Sequence, residues 1–198
     1  MLMQSKRPVA GVITGRRALL RGAGTIGLSA AAIAVLGGCE SMAASSSASA
    51  QDVDTLNVAL GLEHEAINAY QLGAESGLLE KPVLNTAVLF QGHHKAHRDA
   101  LVATIRKLGG TPVGEKTMKD YATALNAGSL KSQGDVLALA ARLEKGAANA
   151  YLGVIPSFSD KGLAQVAARL AADETMHWTV LAGALGQTLP DKALTFGA

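Results

Sequence analysis

The sequence predicts an all-α protein whose main domain is a four-helix bundle, and three observations lead to this fold class. Apolar side chains recur at about 100° per residue in four long segments, which gives each segment one apolar stripe. Glycine and proline breaks separate these segments within residues 52–188. No segment shows the alternation of apolar and polar residues that is typical of strands. Four amphipathic helices of this kind bury their stripes by packing against one another.

The local sequence indicates where each helix begins and ends. Proline is favoured in the first helical turn, serine caps N termini, and glycine ends helices. A longer connection of about twenty residues, partly helical around Met118–Leu125, joins the second helix to the third, and residues 189–198 form a C-terminal tail. In chain order, the expected helices run from Asp52 to about Gly77, from Pro82 to Gly109, from a cap at Ser132 to just before Pro156, and from after Ser159 to near Gly186.

Charges are unevenly distributed along the chain. The whole sequence has 18 basic and 16 acidic residues, but no acidic residue precedes Glu40. After residue 38, 13 basic and 16 acidic residues remain, a net charge of −3. We therefore predict no nucleic-acid partner, because such partners require a basic surface. The single cysteine, Cys39, excludes an internal disulfide and a cysteine-ligated metal cluster.

Residues 1–38 have the composition of an export signal peptide. A basic segment is followed by residues 22–38, which carry no charge and are rich in glycine and alanine. This uncharged stretch is short and only weakly apolar for a membrane-spanning helix. The pair Arg16-Arg17 and the residues after it resemble a twin-arginine export signal, with Gly15 where that signal usually has serine.

The only cysteine ends the uncharged stretch. Leu36-Gly37-Gly38-Cys39 resembles a lipoprotein cleavage box, in which the cysteine becomes the lipidated first residue and anchors the protein to a membrane. The alternative is ordinary signal cleavage after Ala50. Residues 39–51, rich in serine and alanine, are then a tether in front of the bundle. Either cleavage places the mature protein in the periplasm or cell envelope.

An internal repeat relates the two halves of the predicted bundle. The segments Leu62–Tyr70 (LEHEAINAY) and Leu143–Tyr151 (LEKGAANAY) are identical at six of nine positions. In the helices that follow them, His94-x-x-His97 lies about eighty residues before Glu174-x-x-His177. The sequence therefore indicates a duplicated helix pair.

Three carboxylates and three imidazoles fall on the apolar stripes of the predicted helices. A spacing of three residues keeps both members of a motif on one face of a helix. Buried carboxylates without partners are costly, so these groups must satisfy one another or share a cation. Carboxylate and imidazole together suit a divalent metal ion. The predicted metal ligands are Glu63, His94, His97, Glu144, Glu174 and His177.

This pattern resembles the ferritin-like di-iron carboxylate bundles, the superfamily of ferritins and rubrerythrins. Those bundles carry one Glu on each of two helices and a Glu-x-x-His motif on each of the other two, in the chain order found here. The resemblance implies that Glu63 and Glu144 are terminal ligands. It also implies that Glu174 bridges two metal ions and that His97 and His177 each hold one. Iron is the metal implied first, and manganese is the alternative.

The sequence departs from the family pattern at His94, where a second bridging glutamate is expected. Imidazole does not bridge two metal ions as a carboxylate does, so one metal ion, a mixed pair or none is compatible with the residues. The stripe leaves open whether His93 or His94 points inward. His93, Tyr70 and Tyr151 are candidates for hydrogen bonding to the ligands, and ordinary core packing is the alternative for the tyrosines.

Three functions are compatible with these residues. The first is an exported metal-binding protein with iron- or manganese-dependent redox chemistry on oxygen or peroxide, which would make it a di-metal oxidoreductase. The second is a metal-free helical adaptor or envelope stress protein that keeps only the ferritin-like fold. The third is a metal store or sensor without catalysis. Association into a homo-oligomer through helix faces is compatible with all three.

Overall fold

The computed structural model describes residues 34–197, with side chains from residue 49 onward. The chain divides into two units, Met1–Cys39 and Glu40–Ala198, and only residues 34–39 of the first are described. The predicted twin-arginine pair, Arg16-Arg17, lies outside the described residues. The side chain of Cys39, the predicted lipidation site, lies outside them as well. The export signal and the lipid anchor therefore stay predictions.

Helices account for most of the described chain, and residues 34–197 contain no strand. Two short 3-10 turns, Ala127–Ser129 and Ile155–Ser157, precede and follow the fourth helix. The predicted all-α fold, with a longer connection between the second and third long helices, is confirmed. The helices are α1 (Ala34–Glu75), α2 (Lys81–Lys107), α3 (Met118–Ala124), α4 (Gln133–Val154) and α5 (Lys161–Ala184).

The segment predicted to be a serine- and alanine-rich tether, residues 39–51, is helical. It is part of α1, which the structure describes from Ala34 onward, ahead of the predicted start at Asp52. Alanine has the highest helix propensity of all residues, and the segment contains no proline. The sequence predicts too late a start for this helix because apolar periodicity reflects the packing of a helix and not its formation.

Capping residues begin and end the helices close to the predicted positions. The Ser132 hydroxyl accepts a hydrogen bond from the backbone N–H of Asp135, and the Asp135 carboxylate accepts one from the N–H of Ser132. This capping box starts α4. The carboxylate of Asp160 caps α5. Gly109 and Gly186 follow α2 and α5 with φ of 80° and 66°, a left-handed conformation that ends a helix at little cost for glycine.

Two clusters of buried apolar side chains fill the bundle. Along every long helix the predicted metal ligands lie between the residues of one cluster and those of the other. The carboxylates and imidazoles therefore form a polar layer between two apolar regions. The first apolar cluster includes Leu56, Leu60, Leu101, Ile105, Tyr151, Leu163 and Leu170, and the second includes Tyr70, Phe90, Leu137, Ala141, Trp178 and Leu181.

The long connection between α2 and α4 packs onto the bundle through α3. Tyr121 and Leu125 of this connection form a small buried cluster with Ala69 of α1. Ahead of α3, the connection is held by Asn57 of α1, which donates a hydrogen bond to the carbonyl of Thr111 and accepts one from the backbone N–H of Val113. None of the helices in the described part of the chain is long and apolar enough to cross a membrane.

Candidate metal centre

The six predicted ligands converge in the polar layer of the bundle. All of them are buried, and the side chains of Glu174 and His177 are fully enclosed. Each long helix contributes at least one, because the stripes that carry them face the centre. The contributions are Glu63 from α1, His94 and His97 from α2, Glu144 from α4, and Glu174 and His177 from α5.

The ligand atoms form two overlapping groups of four. We call Glu63, His94, His97 and Glu174 the first subsite, and His94, Glu144, Glu174 and His177 the second subsite. Within each group the ligand atoms lie within 4.8 Å of one another. Two atoms bound to one ion at about 2.1 Å are at most about 4.2 Å apart, so a small contraction would suffice. The groups share His94 and Glu174, as the two halves of a dinuclear site would.

The first subsite contains two buried polar atoms that have no hydrogen-bond partner. His97 Nδ1 lies 3.2 Å from Glu174 Oε1 and 3.6 Å from Glu63 Oε1. Neither His97 Nδ1 nor Glu174 Oε1 makes a hydrogen bond. Buried polar atoms almost always have a partner, and a cation between a carboxylate oxygen and an imidazole nitrogen would supply one to both. The residues of the subsite therefore fit a divalent metal ion.

The second subsite uses the other oxygen of the shared glutamate. His177 Nδ1 lies 3.3 Å from Glu174 Oε2 and 3.4 Å from Glu144 Oε2. Glu174 therefore presents Oε1 to the first subsite and Oε2 to the second. This orientation suits the bridging role that the family resemblance implied for Glu174.

His94 points into the centre, which answers the question that the stripe left open. Its Nδ1 lies 2.8 Å from Glu63 Oε2, and its Nε2 lies 3.1 Å from Glu144 Oε1. The ring thus turns one nitrogen towards each subsite. A neutral imidazole has a lone pair on one nitrogen only, so it can ligate one ion while its N–H donates to the carboxylate of the other subsite.

The two tyrosines of the repeat hydrogen-bond the terminal carboxylates in a crossed arrangement. Tyr70 donates to Glu144 Oε1 at 2.5 Å, and Tyr151 donates to Glu63 Oε1. Each tyrosine follows the glutamate of its own repeat by seven residues but bonds the glutamate of the other repeat. Burial and the nearby carboxylates raise the pKa of both phenols well above 10, so both stay hydrogen-bond donors.

The outward-facing nitrogens of the two terminal imidazoles have different partners. His97 Nε2 lies 3.2 Å from Asp173 Oδ2, whereas His177 Nε2 lies 2.9 Å from His93 Nδ1. Asp173 and His93 occupy corresponding positions of the repeat. The sequence pattern predicted a supporting position for His93 and missed Asp173, although the repeat spacing was a signal that could have found it. The two subsites are therefore chemically unequal.

Comparison with known proteins agrees with this architecture. The family model of the ferritin-like domain matches residues 51–187. The chain belongs to the ferritin-like domain family. A solved structure of a conserved hypothetical protein, rv2844, from Mycobacterium tuberculosis resembles it with a TM-score of 0.60 and 20% identity, over 74% of this chain and 99% of that chain. That likeness shows the fold alone. None of the curated proteins compared with the chain matches it.

Imidazoles and carboxylates of this ferritin-like domain adjust each other's protonation. Burial opposes the charged form of His94 and His97, but the facing carboxylates of Glu63, Glu144 and Glu174 outweigh it and raise both pKa values to about 10. Burial likewise opposes the charged form of Glu63 and Glu144, yet the imidazoles lower the pKa of both below the ordinary value. Burial raises the pKa of Glu174. Without metal, protonated imidazoles thus balance the carboxylates.

One histidine of the ferritin-like domain lies off the centre. His64 has its Nε2 3.3 Å from the carbonyl oxygen of Val113 in the connection after α2. It belongs to neither subsite. Three other histidines, His94, His97 and His177, and three glutamates form a buried centre that can hold a divalent metal ion.

We expect Asp173→Asn to weaken metal binding in the first subsite by about 10- to 100-fold, because a carboxylate partner increases the basicity of a ligand imidazole and fixes its orientation. Calorimetric titration of the metal-free protein with Mn²⁺ measures this as the weakening of one of two binding phases. His93→Gln is the matched variant, and it should change the other phase. Equal weakening of both phases by either substitution would contradict the assignment.

Proposed function

We propose that this ferritin-like protein binds two divalent metal ions, iron or manganese, and acts in redox chemistry on oxygen or peroxide. The observation that carries the proposal is the pair of overlapping four-residue groups that share Glu174 and His94. The orphaned atoms of His97 and Glu174 support it, since metal ligation would satisfy both. When bound, a pair of redox-active ions would supply the electrons and the coordination positions that such chemistry requires.

The protein itself positions the ligands, provides proton donors and surrounds the centre with apolar side chains. Tyr70 and Tyr151 hold the terminal carboxylates, while Asp173 and His93 orient the imidazoles. Two apolar clusters lie on either side of the polar layer, and the six ligands in it are buried. A dry surrounding strengthens every charge interaction within the centre. These are the contributions that a protein makes to a cofactor that carries out the chemistry.

One observation favours a second candidate, the metal-free adaptor or envelope stress protein. His94 bonds both Glu63 and Glu144, so part of the cluster neutralises itself without a metal ion. Such a cluster would be an inherited polar core that only specifies the packing of the helices. Against this alternative, His97 Nδ1 and Glu174 Oε1 face each other at 3.2 Å without forming a hydrogen bond, and a cation shared between them would be a partner for both.

Elemental analysis of protein exported by a native-like host separates these functions. We expect about two equivalents of iron or manganese in the wild type. The metal content should fall in His177→Ala and stay unchanged in the exposed control Glu75→Ala. Anaerobic Fe²⁺ loading followed by oxygen or peroxide should then change the absorption spectrum. Absence of metal, with variants that fold as the wild type does, would establish the adaptor. Bound metal that does not respond to peroxide would establish a store or sensor.

We further propose export by the twin-arginine route and a lipid anchor at Cys39, supported by the basic leader and the cysteine that ends its uncharged stretch. Arg16→Lys with Arg17→Lys should keep the precursor in the cytoplasm. Cys39→Ser should release the protein from membranes, and mass spectrometry of the mature N terminus distinguishes cleavage before Cys39 from cleavage after Ala50. Homo-oligomer formation also stays a prediction, which light scattering of the mature protein can test.

A further inference from the structure

A cavity of about 110 Å³ lies within the second apolar cluster, next to the second subsite. Its wall includes Tyr70 and two of the predicted ligands, His94 and Glu144. All four long helices contribute to the rest of the wall, which is leucine, valine, alanine, glycine and phenylalanine apart from Glu65 and Thr86. The cavity therefore joins an apolar space to the candidate metal centre.

The repeat explains why this half of the bundle has spare volume. Gly73 and Val83 line the cavity, whereas their counterparts in the other half of the repeat are the larger Val154 and Leu163. Leu163 belongs to the first apolar cluster, where it fills space. At Gly73, α1 and α4 approach so closely that a Cβ atom would lie 2.9 Å from Val136 Cγ1, so Val136 already fills the place of a side chain there. The smaller Val83 is therefore the difference between the halves that leaves space in this one.

The chemistry of the wall selects an apolar occupant. Buried water needs two to four polar partners, and the polar groups nearest the centre, Tyr70 and Glu144, already bond each other. A dry cavity of about 150 Å³ lined by leucine, isoleucine and phenylalanine is large enough for benzene. The present cavity is of similar character and somewhat smaller. Val180 and Ala184, which line it, are solvent-exposed, so the wall reaches the surface along α5.

We infer that this cavity binds a small hydrocarbon of about the size of benzene and holds it against the ligands of the second subsite. A molecule in the cavity would contact the side chains of His94 and Glu144, which form part of its wall. The inference names the substrate class of the proposed metal centre, and only that consequence rests on the proposed function. Binding of the hydrocarbon itself requires no metal ion.

The test uses benzene as the probe and the metal-free wild-type protein. Benzene should bind with about one equivalent in a calorimetric titration and raise the midpoint of thermal unfolding. Pyrimidine, a ring of similar size that is polar, should do neither. Ala140→Leu fills the cavity and should abolish benzene binding, whereas Ala138→Leu, the same change at an exposed position of the same helix, should preserve it.

A second variant keeps the test decisive if Ala140→Leu does not fold. Val83→Leu introduces the residue that the repeat already carries at position 163, and it should also abolish benzene binding. Unchanged benzene binding in a cavity-filled variant that folds would overturn the inference. Binding of xenon without binding of benzene would also overturn it, and would assign the space to the passage of gases. Benzene binding in a protein that never takes up metal would refute the proposed function and leave the cavity site standing. Metal uptake without benzene binding would overturn the cavity inference and leave the proposed function standing.

Discussion

Glu174→Ala is expected to abolish the binding of both metal ions, whereas Glu63→Ala and Glu144→Ala should each abolish the binding of one. Glu174 presents one oxygen to each subsite, while Glu63 and Glu144 belong to one subsite each. Metal content should therefore fall from two equivalents to none in the first variant and to one in the other two. Calorimetry with Mn²⁺ and elemental analysis after removal of free metal measure the stoichiometry.

The controls for this experiment separate ligation from folding. Glu174→Gln keeps the volume of the side chain and one oxygen, so its helix content and packing should match the wild type while metal binding is strongly weakened. Glu75→Ala, at the exposed end of α1, should leave the stoichiometry unchanged. Two bound ions in a folded Glu174→Ala variant would refute the shared ligand. Loss of both ions in Glu63→Ala would refute the division into subsites.

Stability of the metal-free protein is expected to be greatest between about pH 4.5 and 6.5 and to fall as the pH rises to about 10. His94 faces carboxylates from α1, α4 and α5, and the pKa values of His94 and His97 are raised from 6.5 to about 10. A raised imidazole pKa stabilises the fold below 6.5, and this contribution disappears as the pH rises towards 10. The lowered pKa values of Glu63 and Glu144 stabilise it above 4.5, and that contribution is lost in acid.

Denaturant unfolding from pH 4 to 10, with a chelator present, measures this profile. The metal-loaded protein should behave oppositely above pH 6.5, because metal ions require deprotonated imidazoles and bind more tightly as protons leave. His94→Gln should flatten the alkaline decline of the metal-free protein. A profile that is level from pH 6.5 to 10 in the wild type would mean that no buried imidazole is held in its charged form.

Much of the architecture was predictable because the chain repeats itself. Leu60, Glu63 and Ile67 lie on one face of a helix by spacing alone, so a carboxylate among them had to face the core. The same argument applied to Glu144, and the motifs ending in His97 and His177 placed their ligands beside them. Capping at Ser132 and the end of α5 near Gly186 were equally local.

Spacing along one helix could not show which of two neighbouring residues points inward, nor which side chains of different helices bond each other. His93 and His94 differ by only 100° of helical rotation, and contact with Glu63 and Glu144 decides which of them enters the centre. Asp173 looked like an ordinary exposed carboxylate until α2 brought His97 to it.

The amino-acid sequence alone determined the four helices, their inward stripes and the acid and imidazole side chains that those stripes bury, because helical periodicity and capping are properties of nearby residues. The tertiary structure alone decided how those side chains are shared between two subsites, which tyrosine bonds which glutamate, and where the bundle keeps an empty apolar space. Each of these depends on distances between residues of different helices, and such distances follow from the packing of whole helices and not from spacing along any one of them.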